Sequence, residues 1–332
     1  MQERFDPRPD RRPNVIWVLC DQLRVQSLGY RGDNQVATPN IDDLARGGMD
    51  FHQAVAGAPW CCPFRGALLT GRYPNQNGVT ETPKALDPSI PTIAPPLRQA
   101  GYHTAWIGKW HLDGSNSREH LVPPERRGGF DYWLGYENNN NQHECYVHGT
   151  DQEQPVRLDG FETDALTDLM IDHIDQHVGG ARDDDDQYQP FFACLSVQPP
   201  HGPYSSPTNP AYGRARRNPG SIDLRRNVPL SPWVRQRALP NHCGYYDLIE
   251  NIDWNLGRLR QALQRLNIDR ETWLVFFSDH GDMLGSHGQF GKSSPWEESI
   301  RIPLLIGRVG PGTNPRAGRC DAVVNHVDIT ST

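Results

Sequence analysis

Short, continuous apolar segments alternate with helical stretches along this chain, and this alternation limits the fold more than any other feature. Residues 15–19 read Val-Ile-Trp-Val-Leu, as expected for a strand that is buried on both faces. Similar runs lie at 103–107, 191–197, 272–277 and 303–306. Strands separated by helices predict an α/β fold, in which a mostly parallel sheet is sandwiched between helices.

Helical periodicity predicts helices over 38–45, 163–177 and 242–266. The first of these has Thr38 as a cap, proline in its first turn and a glycine pair at its end. The stretches between the elements are predicted to be loops: a long polar loop at 113–161, a charged loop at 182–186 and a loop rich in proline, arginine and serine at 203–232. No internal repeat or linker is evident, so we expect one domain at 13–332 and a polar tail at 1–12.

Residues able to do chemistry follow four of the predicted strands. They are Asp21, Lys109, His201 and Asp279, in strand order. Ligands of parallel α/β sheets bind at the carboxyl ends of the strands. The sequence therefore predicts that these four side chains converge at one edge of the sheet. Taken alone, each aspartate is more typical of a turn or a helix cap, and the repeated strand-end position is what favours a site.

Two segments carry a resemblance to a known family. Residues 61–72 read Cys-Cys-Pro-Phe-Arg-Gly-Ala-Leu-Leu-Thr-Gly-Arg, similar to the type I sulfatase signature C-x-P-x-R followed by x-x-L-L-T-G-R. Residues 101–111 resemble the second signature, G-Y-x-T-x-x-x-G-K-W-H. Weaker matches lie at 199–204 and 288–292, and together they run from about Pro13 to Asp328. The chain thus resembles the formylglycine-dependent sulfatases of the alkaline phosphatase-like superfamily.

The resemblance implies a role for each matched residue. In this family the first cysteine of the signature is oxidised to formylglycine, whose hydrated aldehyde attacks sulfur. That position is Cys61, and Phe64 stands where serine is common. The remaining roles implied are orientation of the nucleophile by Arg65, sulfate binding by Lys109 and Lys292, contact with the diol by His111, and general acid catalysis by His201.

A divalent metal is also implied. The expected ligands are Asp21, Gln22, Cys61, Asp279 and His280. Oxygen ligands favour Ca²⁺, with Mg²⁺ and Mn²⁺ left open. Many relatives carry Asp-Asp at the first position, so the Asp21-Gln22 pair departs from the common pattern. It resembles members that act on phosphonate or phosphate esters, and also choline sulfatases.

Three functions remain open at this stage. The leading one is hydrolysis of a sulfate monoester, possibly on a saccharide, after maturation by a formylglycine-generating enzyme. The second is hydrolysis of phosphonate monoesters or phosphodiesters at the same site. The third is an inactive, truncated relic, because the small C-terminal subdomain of the family has no counterpart before Thr332.

Composition excludes several other classes. The chain has 332 residues and a net charge of −7, which argues against nucleic acid or an anionic membrane as partner. No run of eighteen apolar residues or secretion signal is evident, so a cytoplasmic protein is expected unless an upstream start was missed. The seven cysteines are scattered and do not indicate a disulfide framework.

Overall fold

A ten-stranded sheet forms the centre of the computed structural model, which describes residues 12–179, 189–207, 217–310, 314 and 316–331. The predicted tail, apart from Arg12, the segment 182–186 and part of the loop at 203–232 lie outside the described residues. The strands are β1 (Asn14–Asp21), β2 (Met49–Val55), β3 (His103–Lys109), β4 (Tyr132–Tyr136), β5 (Tyr146–Gly149), β6 (Gln152–Arg157), β7 (Phe191–Pro200), β8 (Thr272–Ser278), β9 (Leu304–Arg308) and β10 (Gly318–Asn325).

The spatial order of the strands is β10-β2-β9-β8-β1-β7-β3-β4-β5-β6. Strands β8, β1, β7, β3 and β4 are parallel neighbours, which confirms the prediction of a mostly parallel sheet. Strand β9 runs antiparallel to both of its neighbours, and β4, β5 and β6 pair antiparallel at the far edge. The predicted strands are all present, with ends shifted by a few residues.

Helices cover both faces of the sheet. They are α1 (Pro39–Gly47), α2 (Cys61–Thr70), α3 (Pro74–Asn77), α4 (Ala94–Gln99), α5 (Glu162–Gly179), α6 (Pro232–Arg265), α7 (Glu297–Ile300) and α8 (His326–Ser331). One core packs α1, α5 and α6 against the sheet, and the other packs α2, α4 and α8 against its opposite face. In β1, Ile16 and Val18 enter the first core, whereas Trp17 and Leu19 enter the second. A strand that is buried on both faces needs apolar side chains in both directions, which explains its continuous apolar run.

The structure corrects three local predictions. Helix α6 begins at Pro232 rather than at residue 242 and continues through Pro240, whose ring removes only one backbone donor. Thr38 precedes α1 but does not cap it, because its hydroxyl donates to Asp42 Oδ1 at 2.8 Å. The segment 113–161 is not a simple loop, since it contains β4, β5 and β6.

The carboxyl ends of the parallel strands meet as predicted. Asp21 ends β1 and Lys109 ends β3, while His201 directly follows β7 and Asp279 directly follows β8. Helix α2 begins at the same edge with Cys61. No helix within the described ranges is long and apolar enough to cross a membrane.

Candidate active site

Cys61 lies at the centre of a buried cluster of charged side chains. It is the first residue of α2, and only 2% of its surface is exposed. Its Sγ atom lies 3.1 Å from Lys292 Nζ, 3.3 Å from His280 Nε2 and 3.6 Å from Asp21 Oδ1. The cluster therefore joins the signature cysteine to residues from β1 and from the segment after β8.

Arg65, one turn after Cys61 in α2, forms ion pairs with both carboxylates of the cluster, Asp21 and Asp279. Its Nη2 atom lies 3.5 Å from Asp21 Oδ2 and 3.5 Å from Asp279 Oδ2. Its Nη1 atom donates to the Lys109 carbonyl at 2.9 Å and to Ser196 Oγ at 2.8 Å. One guanidinium thus fixes both carboxylates to two neighbouring strands, which orients their other oxygens toward Cys61.

The side of the cluster that faces Cys61 carries the atoms able to bind a metal. Asp21, Cys61, Asp279 and His280 each offer one ligand atom, and these four atoms lie within 4.8 Å of one another. His280 Nε2 is 3.5 Å from both Asp21 Oδ1 and Asp279 Oδ1. Within the described residues, no other group of three or more such side chains is assembled as closely.

The charges in this cluster depend on one another. Burial and Asp21 raise the pKa of Cys61, but Lys292, Lys109 and His280 outweigh them and hold it well below its usual value. Burial also opposes ionisation of Asp21, yet Lys109, whose Nζ lies 2.6 Å from Oδ2, helps to keep the Asp21 pKa low. Burial and the charge of Asp21 raise the pKa of Asp279 to about 6. A bound cation would relieve this repulsion between the carboxylates.

Gln22 connects Lys292 to a second buried network. Its Oε1 accepts from Lys292 Nζ at 3.1 Å, and its Nε2 donates to the Tyr204 hydroxyl at 3.1 Å and to Asp282 Oδ2. The Tyr204 hydroxyl donates to the same Asp282 oxygen. The side-chain oxygen of Gln22 therefore faces an ammonium group, and its predicted role as a metal ligand stays a prediction.

The two predicted histidines have opposite electrostatic surroundings. Burial and Lys109 lower the pKa of His111, but the sulfur atoms of Cys61 and Cys62 raise it to about 9. Burial and Lys292 lower the pKa of His201 to about 4. His111 Nε2 lies 3.2 Å from Asn116 Oδ1, and His201 Nδ1 donates to the Gly202 carbonyl at 2.7 Å. Of these two histidines, His111 is therefore the one that carries a positive charge near pH 7.

Comparison with known families agrees with this geometry. The sulfatase family model matches residues 13–332, which is nearly the whole chain. The chain belongs to the sulfatase family.

Individual relatives support this membership. This sulfatase-family chain is 34% identical to an ulvan-active sulfatase of Formosa agariphila over 96% of its own length and 60% of the relative's. It is 30% identical to an endo-4-O-sulfatase of Bacteroides thetaiotaomicron, covering 90% of this chain and 65% of the relative. The solved structure of the sulfatase yidJ from Bacteroides fragilis superposes with a TM-score of 0.82 at 27% identity, covering 99% of this chain and 74% of that one.

The chain is shorter than these relatives. It spans about 60–65% of the length of the two curated proteins. A phosphonate monoester hydrolase of Agrobacterium radiobacter also superposes, with a TM-score of 0.71 at 22% identity over 96% of this chain and 72% of that one. That likeness shows only that the two proteins share a fold.

Several side chains that hold the sulfatase-family site were not anticipated from the sequence. Asp282, Ser196 and Asn116 contact Gln22, Arg65 and His111, respectively. Tyr204 lies in the family-like segment 199–204, but the resemblance implied no role for it, whereas in the structure it contacts Gln22 and Asp282. For Asp282 a signal was available, because it lies three residues after Asp279 in the same strand-end segment. Ser196 lies inside the apolar strand β7, and nothing in that segment of the sequence indicates its hydrogen bond with Arg65.

Proposed function

We propose that this chain is a metal-dependent sulfatase that hydrolyses a sulfate monoester with a formylglycine formed from Cys61. One observation carries the proposal: the Cys61 sulfur is surrounded within 3.6 Å by Asp21, His280 and Lys292. Such a cage supplies what sulfate transfer needs, namely a fixed nucleophile, positive charge for the sulfuryl oxygens and a place for a cation.

Asp21, Asp279, His280 and the modified Cys61 would hold the metal, with Gln22 as a further candidate. Its chemistry would be that of a Lewis acid, which polarises a sulfuryl oxygen and lowers the cost of developing charge. The donors fit a hard divalent ion, since two are carboxylates. We expect Ca²⁺, with Mg²⁺ and Mn²⁺ as alternatives, since carboxylate oxygens suit all three ions and the His280 nitrogen suits Mn²⁺ best.

The remaining residues would bind the ester and move protons. Oxidised to formylglycine, Cys61 would present a hydrated aldehyde, one hydroxyl of which attacks sulfur while the other supports release of sulfate. Lys292 would bind a sulfuryl oxygen, because its ammonium lies 3.1 Å from the Cys61 sulfur. Lys109 would assist it from the Asp21 side. Arg65 would keep the nucleophile's neighbours in place.

Proton transfer is assigned to the two histidines. His111 would hydrogen-bond the diol that replaces the Cys61 sulfur. His201 would protonate the leaving oxygen through Nε2, since Nδ1 is held by the Gly202 carbonyl. Burial and Lys292 lower the pKa of His201 to about 4, and the negative charge of a bound sulfate ester would raise it.

The substrate class follows from the relatives only as a proposal. The names of the similar proteins include an ulvan-active sulfatase and an endo-4-O-sulfatase. We therefore propose a sulfated saccharide as the substrate. Maturation would require a formylglycine-generating enzyme to oxidise Cys61.

A phosphorus ester is the second candidate, favoured by Gln22 and by the shared fold with a phosphonate monoester hydrolase. Gln22 carries no charge, so the site is less negative than with a second aspartate. A diester or a phosphonate monoester is a monoanion, like a sulfate monoester, and would meet the same cations. Comparing 4-nitrophenyl sulfate with 4-nitrophenyl phenylphosphonate at matched concentrations separates the two. A higher kcat/KM for the sulfate supports the sulfatase, and the reverse order supports the second candidate.

The first experiment is to produce the protein together with a formylglycine-generating enzyme and weigh the tryptic peptide 47–65. The mass of an aldehyde or its hydrate at Cys61, with turnover of 4-nitrophenyl sulfate, supports the proposal. Cys61→Ala should abolish turnover, whereas the control Cys320→Ala should keep it, because Cys320 lies in the edge strand β10, four strands away from β1. An unmodified thiol without turnover would instead favour the inactive relic.

A further inference from the structure

An apolar pocket is lined by the chain neighbours of two residues of the Cys61 cluster. Trp60, which precedes Cys61, and Ser293, which follows Lys292, both line it. The Cys61 sulfur and the Lys292 ammonium are 3.1 Å apart, so the pocket is joined to the proposed reaction centre at two points of the chain. Its volume is about 480 Å³, which is within the range of small-molecule sites.

The chemistry of the pocket differs from that of the neighbouring cluster. None of the described residues that line it carries a charged side chain. Trp60 and Tyr73 are 41% and 47% exposed, although both are large aromatic residues. The rest of the lining is mostly small or proline: Ala58, Pro59, Pro63, Pro74, Asn75 and Thr80. Such a surface cannot compensate a sulfate or a metal ion, but it suits an uncharged ring with an apolar face.

The backbone that carries Trp60 and Tyr73 belongs to ordered parts of the fold. The Trp60 amide donates to the Ala58 carbonyl at 2.8 Å, and the Trp60 carbonyl accepts from Phe64 at 2.9 Å as α2 begins. Tyr73 and Pro74 lie where α3 begins. A wall that is already ordered loses little entropy on binding, and tryptophan and tyrosine have few rotatable bonds to immobilise.

The position of the pocket indicates which part of a substrate would occupy it. The ring that bears the sulfate must lie against Cys61 and its polar neighbours. The pocket is lined by the next residue of the chain on each side, Trp60 beside Cys61 and Ser293 beside Lys292. The next ring along a saccharide would reach it, with one face against the aromatic side chains and its hydroxyl groups directed to water.

We propose that the pocket between Trp60 and Tyr73 is a subsite for an uncharged pyranose ring linked to the sulfated sugar. The proposal rests on the proposed function and narrows its substrate class to disaccharides and longer saccharides. Trp60 and Tyr73 are then specificity-determining residues that do not touch the reacting atoms.

The test compares matched substrates. The probes are galactose and N-acetylglucosamine sulfated at O4 or at O6, each with the disaccharide that adds one unsulfated ring. In the matured enzyme, Trp60→Ala is expected to raise KM for the best disaccharide about tenfold, the effect of losing one good contact. The KM for its monosaccharide should change less than twofold. Tyr73→Ala should act in the same direction, and Tyr73→Phe, which keeps the ring, should not.

Controls separate this proposal from the proposed function. Trp233→Ala removes another exposed tryptophan, 60% exposed and absent from the pocket lining, and should change neither KM. Binding of the same probes to Cys61→Ala, measured by calorimetry, does not depend on turnover. If these proteins bind the disaccharide more tightly than the monosaccharide and Trp60→Ala removes that preference, the subsite is supported. This holds even if no sulfate is released, and in that case only the proposed function fails. Equal effects on both saccharides, or no disaccharide preference in the parent protein, would overturn the subsite.

Discussion

Lys292 Nζ lies 3.1 Å from Cys61 Sγ, although 231 residues separate them in the chain. Cys61 begins α2, whereas Lys292 belongs to the connection between β8 and β9. Burial would lower the pKa of Lys292, but the charges of Cys61 and Asp21 raise it. Lys292 is therefore a positive charge beside the proposed nucleophile and the most direct candidate for binding a sulfuryl oxygen.

Replacing Lys292 by alanine should reduce kcat/KM for 4-nitrophenyl sulfate by about 10²–10³, the usual effect of losing one preorganised group that stabilises developing charge. Formylglycine content should stay that of the parent protein, measured on peptide 47–65. Lys84→Ala is the matched control, because the Lys84 side chain is 46% exposed and forms an ion pair with Glu81 on the surface. A loss below threefold for Lys292→Ala would exclude the assigned role.

Removing divalent metal should destabilise the protein. Asp21, Asp279 and His280 crowd their ligand atoms together, so an ion that binds only the folded state stabilises it by about 2.7 kcal/mol at one hundred times its Kd. We expect a chelator to lower Tm and Ca²⁺ to restore it better than Mg²⁺. Asp279→Asn should make Tm insensitive to both. If the parent protein keeps its Tm in chelator and in excess Ca²⁺ alike, the metal prediction is wrong.

Asp282 should position the lysine-bearing segment. Its Oδ1 accepts from the amides of Leu284 at 2.8 Å and Gly291 at 3.1 Å, and its Oδ2 from Gln22 and Tyr204. Asp282→Ala leaves these buried donors without an acceptor, which should cost about 1–3 kcal/mol in the free energy of unfolding.

The activity of that variant gives a second readout. Because Lys292 directly follows Gly291, kcat should fall about tenfold or more, as expected when a bound group is misplaced. Asp282→Asn keeps Oδ1 and should lose less stability, as measured by urea unfolding. Equal unfolding free energies for all three proteins would contradict the positioning role.

Stability should fall in mild acid through His148. Burial and Arg127 lower the pKa of His148 to about 4, and its Nε2 accepts from the Val122 amide at 2.8 Å. The unfolded imidazole, with a pKa near 6.5, binds a proton first. The neutral imidazole therefore contributes its full stability above about pH 6.5. This stability is lost as pH falls toward 4, and the loss at pH 5 is about 1–2 kcal/mol in the free energy of unfolding.

Comparison with His148→Gln isolates this contribution, since glutamine can accept the same hydrogen bond without titrating. Between pH 7.5 and pH 5, the parent protein should lose about 1–2 kcal/mol more unfolding free energy than the variant. Other groups change stability with pH in the opposite direction. Burial raises the pKa of Glu162 to about 7, so this group stabilises the protein as pH falls. The quantity to measure is therefore the difference in unfolding free energy between the parent protein and the variant. Parallel pH profiles would show that His148 does not titrate in this way.

The sheet and the strand-end residues could be predicted because they follow from local chemistry. A strand buried on both faces must be apolar throughout, so β1 and β8 are visible in the sequence, and a polar residue at the end of such a strand is conspicuous. Asp21 and Asp279 were found in this way. The signatures then added Cys61 and Arg65 by resemblance.

What could not be predicted depends on contacts between distant segments. The hydrogen bonds of Asp282 with Tyr204 and Gln22 join three separate parts of the chain, and no spacing encodes them. The helix predicted from residue 242 begins at Pro232, because burial of Val234 and Ala238 outweighs the one backbone hydrogen bond that Pro240 cannot donate. Strands β4 to β6 were missed because their segment is rich in polar residues.

The reversed direction of β9 has an evolutionary consequence. Because β8 leaves the sheet at the same edge where β9 enters it, the connection 279–303 begins and ends at that edge. It carries Asp279 and His280 at its anchored start and Lys292 in its middle. Insertions or exchanges in the middle can therefore reshape the anion-binding half of the site without altering strand registry or the carboxylates, which would let ester preference diverge while the scaffold is inherited unchanged.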